Sequence, residues 1–517
     1  MVFSSFSFQS YGAINMPIYN QKTAYACEEI RHEGRLGVID IGSNSIRLVV
    51  YDAIKRTPLP IFNEKVFCEL GKGLSSTGKL NPKGVKLAES CIKRFLALVH
   101  IMDVVELQII ATAAIRDASD GAEFVENLER KYRINITVIS GNKEARLGAS
   151  GVFSSIYKPV GLAADLGGGS IELISLESGN NIGGQTTLPI GPLRLLDASK
   201  GDKAKMKKLI GEALEAEKWI ESSTPKHFYA IGGSFRAIAH IHMRKEKYPL
   251  NIIHQYTIKN ASLRKLLKEI ISSTPEQIAK MPGASAKRFE SIIPAAMVME
   301  YILDLTDPID IIFSASGIRE GYLYEKLSPF LREEDPLIAS ASELALQNGA
   351  AAGFARKLFH WSTPLFVKEN DKYRRLRFAV CILSEIAGRI HPEYRPEWAF
   401  NRIVQSILTG ISHSERVTLA TALYHRYQFK LKLDSDLLGL ISEKDKAWAK
   451  LVGSIAGLAF QLSGGMGDNL QNTGFILDKN KITVEFIDEA KNLRSDAIDK
   501  RIENLNEAFR NFNGLVE

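Results

Sequence analysis

Between Gly34 and about Tyr157, short apolar runs alternate with stretches of helical periodicity. Leu36 to Ile41, Ile46 to Tyr51, Leu107 to Ala111 and Ile136 to Ile139 read as strands, and Pro82 to His100 and Ala122 to Tyr132 as helices. This alternation predicts an α/β domain. The rhythm restarts near Pro159 and continues to Leu327. It opens with a strand running into Asp165 and includes a helix from Lys205 to Glu221. A strand from Phe228 to Ile231 follows, broken by the turn Gly232-Gly233-Ser234, and a last strand spans Ile309 to Ser314. The first half of the chain is therefore internally repeated.

After Pro329 the pattern becomes helical, with Arg377 to Ile390 and Arg402 to Ile411 as the clearest stretches and no strong strand signal over 336–430. A helix at Ala447 to Leu462 leads into the loop Ser463-Gly464-Gly465-Met466-Gly467. Phe475 to Leu477 and Ile482 to Val484, joined through Asp478-Lys479-Asn480, then read as a hairpin. Ile498, Ile502, Leu505, Phe509 and Phe512 form one apolar stripe on a final helix. Docking of that stripe onto its own domain is favoured over a dimer seam. The predicted boundaries are an extension at 1–33, α/β domains at 34–158 and 159–329, a helical domain at 330–435 and an α+β region at 436–517.

Composition changes this picture little. Of the 517 residues, 45% are hydrophobic and 24% charged, ordinary values for a soluble globular protein. The 66 Lys and Arg against 59 Asp and Glu leave a net charge of +7, too mild to argue for nucleic acid. Cys27, Cys68, Cys91 and Cys381 form no CxxC pair, which suggests neither a zinc site nor a disulfide framework and fits a reducing cytoplasm. The first 33 residues lack a basic start followed by an apolar core, so a secretory signal is not expected. No run reaches the roughly 18 apolar residues of a membrane span.

The chemistry concentrates in two matching strand-turns, Val38-Ile39-Asp40-Ile41-Gly42-Ser43-Asn44-Ser45 and Ala163-Ala164-Asp165-Leu166-Gly167-Gly168-Gly169-Ser170. In each, a buried strand ends at an Asp, and glycines and small hydroxyls expose backbone N–H groups to an anion. Two facing copies would clamp a polyphosphate. Alone, the pair suits a kinase, a chaperone or a phosphatase equally.

With Gly232-Gly233, these turns resemble the phosphate-1, phosphate-2 and adenosine motifs of the actin, sugar-kinase and heat-shock-chaperone superfamily. More narrowly, the chain resembles the exopolyphosphatase and guanosine pentaphosphate phosphatase family over about Gly34 to Leu327. The resemblance rests on the two turns extended to Arg47 and Glu172, on Ala111-Thr112-Ala113-Ala114-Ile115-Arg116, and on Ser140-Gly141-Asn142-Lys143-Glu144-Ala145-Arg146. It implies two ribonuclease-H-like, actin-like domains around a cleft, followed by a helical domain like the His-Asp metal phosphohydrolases; the hairpin and final helix then make a small α+β C-terminal segment. It also implies removal of the terminal phosphate from inorganic polyphosphate, guanosine pentaphosphate as the related substrate, guanosine tetraphosphate as a possible ligand, and a homodimer.

Hydrolysis of a phosphoanhydride needs a held phosphoryl group, compensation of its charge and a positioned water. Glu144 falls in the first turn of a helix, where an acid can simply complement the dipole; the resemblance makes it the base that activates water. Glu172 shares a strand face with the second turn, and the resemblance makes it a second active-site carboxylate. Asp40 and Asp165 are the candidate ligands for Mg²⁺ or another divalent cation, which favours carboxylate and water oxygens beside phosphates. Arg116 offers a forked donor to the transferring phosphoryl group. Ser43, Asn44, Gly167, Gly168, Gly169, Ser170, Gly232 and Gly233 are the remaining phosphate-site candidates. Lys203, Lys207, Lys208, Arg288, Arg374, Arg375 and Arg377 are candidates for a polyphosphate track.

Two features are set aside. Gly73 to Lys79 matches the start of a P-loop, but Leu80 stands where Ser or Thr must bind Mg²⁺, so a surface loop is expected. No histidine precedes an Asp, so the helical domain, with His391 and His413, is expected to be a scaffold without the His-Asp metal motif.

Overall fold

The computed structural model describes residues 34–285, 289–349, 352–478 and 481–515. The predicted extension at 1–33 and the track candidate Arg288 lie outside the described residues.

The internal repeat is realised as two sheets of like topology. The first contains β1 (Arg35–Ile41), β2 (Ser45–Tyr51), β3 (Pro60–Phe67), β4 (Val104–Ala111) and β5 (Thr137–Val138), in the order β3-β2-β1-β4-β5. The second contains β6 (Gly161–Leu166), β7 (Ile171–Glu177), β8 (Asn181–Leu188), β9 (His227–Ile231), β10 (Tyr256–Lys259) and β11 (Asp310–Phe313), in the order β10-β11-β9-β6-β7-β8. In both, an antiparallel hairpin pairs with parallel strands through its first member. This is the expected ribonuclease-H-like repeat, an actin-like pair of α/β domains.

Strand alternation tells how the domains join. On β1, Ile39 and Ile41 enter a core covered by the helix Pro82–Ile101, while Leu36 and Val38 on the other face enter a second core. That second core also contains Ala163 of β6, Tyr229 of β9, Val152 and Leu323, so it is the seam between the domains. The helices Gly141–Ser155 and Ile318–Lys326 cross within it. A Cβ on Gly321 would lie 1.9 Å from the Leu147 carbonyl oxygen, so the crossing requires glycine there. It fixes the start of both helices at the cleft.

Several predicted elements change extent. The strand expected at Ile136 to Ile139 shrinks to Thr137–Val138 because the Ile136 amide donates to Glu129 Oε1 instead of a neighbouring strand. The helix expected from Lys205 to Glu221 divides into Lys203–Glu215 and Lys218–Glu221, where Glu217 accepts from Thr186 and Trp219. The edge strands β3 and β8 were not foreseen; both are part-exposed, and polar residues or glycines interrupt their apolar positions.

The remaining chain is helical, as predicted, with its own large core around Trp448, Tyr424 and Phe400. The hairpin is β12 (Thr473–Asp478) and β13 (Lys481–Phe486). Ile498, Leu505 and Phe509 of the final helix, Asp496–Asn513, are buried in this same core, the docking favoured from the sequence. No helix among the described residues is long and apolar enough to cross a membrane.

Candidate active site

The two strand-turns meet across a cleft of about 150 Å³. Each turn closes with the same backbone bond, Gly42 N–H to Ser45 O at 3.1 Å and Gly167 N–H to Ser170 O at 3.0 Å. A Cβ on Gly169 would lie 3.0 Å from Ser43 Oγ, so the second turn approaches the first within van der Waals contact. Ser43, Asn44, Gly167, Gly168, Gly169, Ser170, Gly232 and Gly233 all line the cleft.

Strand register then sets the charges. In the first hairpin Asp40 faces Arg47, and in the second Asp165 faces Glu172. The repeat thus carries a cation at one position and a carboxylate at its equivalent. Glu172 is 1% exposed and its Oε1 is buried without a hydrogen-bond partner among the described residues. Burial pushes its pKa well up, and the nearby Glu144 and Asp165 push it further. Asp165 is raised to about 6, first by burial and then by Asp40, against the pull of Arg236 and Arg319.

Glu144 reaches the same space from the helix Gly141–Ser155, whose N-cap Ser140 accepts from the Lys143 amide. It is 4% exposed. Arg116 Nη1 donates to Glu144 Oε2 at 3.0 Å and to the Ile139 carbonyl at 3.0 Å. Burial raises the Glu144 pKa to about 7 despite Arg116, and the charges of Asp165 and Asp40 add to the rise. A carboxylate balanced near neutrality is suited to accept a proton. Arg116 is not among the residues that line the cleft and meets the site through Glu144.

Other cations do line the cleft. Arg319 Nη1 donates to Asp40 Oδ2 at 2.8 Å, and Arg47, Lys65 and Arg236 stand around the same space. Arg47 Nε donates to Asn63 Oδ1 at 2.7 Å. Sequence reasoning missed all four in these roles. Arg319 had a findable signal: Phe313-Ser314-Ala315-Ser316-Gly317 is another strand end running through small residues into a helix.

Two of the candidates for a polyphosphate track, Arg375 and Arg377, are engaged inside the fold. Arg375 is buried in a pair with Asp335, 2.5 and 2.8 Å from its two oxygens, and its guanidinium stacks on Tyr157. Arg377 is buried against Glu369 at 2.9 Å. These two hold the helical region together, because a guanidinium taken from water needs a counter-charge. Lys203 Nζ donates to the Ile271 carbonyl at 2.7 Å, Lys207 is exposed, Lys208 faces Glu212, and Arg374 is half-buried. None of them lines the cleft.

Gly73 to Lys79 forms a short-helix loop whose Gly73 amide donates to Asp197 Oδ2 at 2.8 Å. His413 is buried between Tyr248 and the His254 carbonyl, and burial lowers its pKa to about 4. No cluster of three or more His, Cys, Asp or Glu side chains that could hold a metal occurs among the described residues.

Paired phosphate turns, three buried carboxylates and a ring of cations in a duplicated α/β cleft define an actin-like enzyme that handles phosphoryl groups. The chain belongs to the Ppx/GppA phosphatase family, whose model matches residues 49–330; that of the exopolyphosphatase C-terminal region matches 337–509. Exopolyphosphatase 1 of Mycobacterium tuberculosis is 26% identical over 310 residues, 57% of this chain and 88% of that protein. Retrograde regulation protein 2 of Saccharomyces cerevisiae is 26% identical over 482 residues, 83% of this chain and 80% of that protein. The crystal structure of an exopolyphosphatase from Cytophaga hutchinsonii is 26% identical with a TM-score of 0.52, covering 56% of this chain and 96% of that one.

Proposed function

We propose that this phosphatase is an exopolyphosphatase, removing the terminal phosphate of inorganic polyphosphate, with Glu144 as the base. The observation that carries the reading is a buried Glu144, balanced near pH 7 and oriented by Arg116, opening onto two facing phosphate turns. The turns hold the terminal phosphates through backbone N–H groups. Arg47, Arg236 and Arg319 offset their charge. Glu144 accepts a proton from a water attacking the terminal phosphorus, the new P–O bond forms, and the bridging P–O bond breaks to release a chain one phosphate shorter.

The donor set also fits a divalent cation. No hydrogen bond from a described residue reaches the Asp165 carboxylate, Glu172 Oε1 is orphaned, and Arg319 occupies only one oxygen of Asp40. Asp165 with Asp40 or Glu172 would hold Mg²⁺, and Mg²⁺ bound there would neutralise phosphate oxygens.

The test offers the purified protein, with Mg²⁺, long polyphosphate, guanosine pentaphosphate, and ATP with candidate acceptors, following released phosphate and products. Phosphate released from polyphosphate with ATP untouched supports the reading. Release from guanosine pentaphosphate alone would move the activity to that substrate, and phosphoryl transfer to an acceptor would overturn hydrolysis.

A further inference from the structure

A second, larger cavity of about 620 Å³ lies at the junction of the β2–β3 loop, the helix Ile318–Lys326 and the helical region. It is separate from the cleft but adjoins it: Arg319 lines the cleft, while the next residue, Glu320, lines the cavity. Glu320 accepts from Tyr51 Oη at 2.8 Å and from the Gly317 amide at 2.9 Å, so its charge is already satisfied.

The walls are mainly apolar, with Pro58, Leu59, Leu323, Leu344 and Leu408 among them. Into this surface come three guanidinium groups that no salt bridge among the described residues holds. Arg416, 3% exposed, donates only to the carbonyls of Ile403 at 3.0 Å, Ser406 at 2.7 Å and Leu408 at 2.9 Å. Desolvation alone drags its pKa down to about 10. Arg56, also buried, donates to the carbonyls of Ser154 at 2.6 Å and Glu334 at 3.0 Å. Arg402 has a buried Nε without a hydrogen-bond partner, and so does Arg416. No carboxylate of a described residue lies in a salt bridge with any of the three. The fourth cation, Lys55, is neutralised by Glu343 at 2.7 Å and Asp52 at 2.9 Å.

Desolvated cations outside any salt bridge are costly, and an anion that brings its own apolar body relieves that cost while filling the space. Domain junctions of about 300–1,000 Å³ with a few convergent polar groups are the usual setting for small-molecule sites. We infer that this cavity binds a small organic anion with one charged head and an apolar body, the head meeting Arg402 and Arg416 and the body lying against Leu323, Leu344 and Leu408. Phosphate chains lack the apolar body and belong in the cleft.

The full-length protein, titrated with anilinonaphthalenesulfonate, should show one saturable fluorescent site from which decanoate displaces the probe. Decanol, with the same body and no charge, should compete at least about tenfold more weakly, as loss of a charge-assisted contact requires. Arg402→Gln should weaken decanoate about tenfold and leave decanol unchanged. Leu344→Trp, which pushes an indole into the wall where the body lies, should weaken both; if it fails to fold, Arg402→Gln decides, since Arg402 is only half-buried. Equal affinity for decanoate and decanol, indifference to Arg402→Gln, or displacement by tripolyphosphate at lower concentration than by decanoate would each overturn the inference.

Discussion

Arg116→Met should move the pH dependence of catalysis before it does anything else. Arg116 is the largest influence holding Glu144 down against burial, through a 3.0 Å bond to Oε2. A hydrogen bond to a charged group contributes about 1.5–3 kcal/mol. At about 1.4 kcal/mol per pKa unit, its loss carries the Glu144 midpoint from about 7 to about 8–9. The base is then mostly protonated at neutrality, so kcat/KM at pH 7 falls about 5- to 50-fold and recovers most of that by about pH 10. The assay is phosphate release from polyphosphate at subsaturating substrate across pH 5.5–10, since kcat/KM reports groups of the free enzyme. Arg116→Lys, which keeps a cation, should return the midpoint part of the way. A loss equal at every pH would refute positioning and put Arg116 on the phosphate itself. An unchanged profile would remove it from the site altogether.

Asp165→Asn should raise the thermal midpoint at pH 8 and not at pH 4. A carboxyl whose pKa rises from 3.8 unfolded to about 6 folded contributes stability fully present below the lower value and lost as pH climbs through the higher, at most about 3 kcal/mol. Differential scanning calorimetry at the two pH values checks the sign. Gly169→Val should force the facing turns apart, because a Cβ already comes within 3.0 Å of Ser43 Oγ; KM for polyphosphate should rise at least about tenfold with less change in stability. Arg375→Met should cost about 3–5 kcal/mol of stability by stranding Asp335, while the folded fraction keeps its KM for long chains, a split that a role in substrate tracking would not give.

Much of the fold was legible because both α/β halves are written in unbroken apolar runs. Val38 to Ile41 and Ala163 to Leu166 are buried on both faces, which few soluble elements other than central strands allow. The edge strands β3 and β8 were not, because partial exposure lets them carry Asn63, Glu64 and Gln185 in place of an apolar signal. At the site, the turns and Glu144 could be read locally. Arg319 meets Asp40 from 279 residues away, and that contact follows only from the crossing of two helices at Gly321. The basic run at Arg374 to Arg377 misled for the converse reason. Charge density along a sequence does not reveal Asp335 and Glu369 waiting inside the fold.

The central claim is that Glu144 activates water against a clamped terminal phosphate, and Glu144→Gln tests it most directly. The amide keeps the shape of the side chain and removes the proton acceptor. With long polyphosphate and Mg²⁺, single-turnover phosphate release should fall about 10²- to 10⁴-fold, the usual contribution of a positioned base, while equilibrium binding of the polymer is retained. Release at near wild-type rate by that variant would contradict the account.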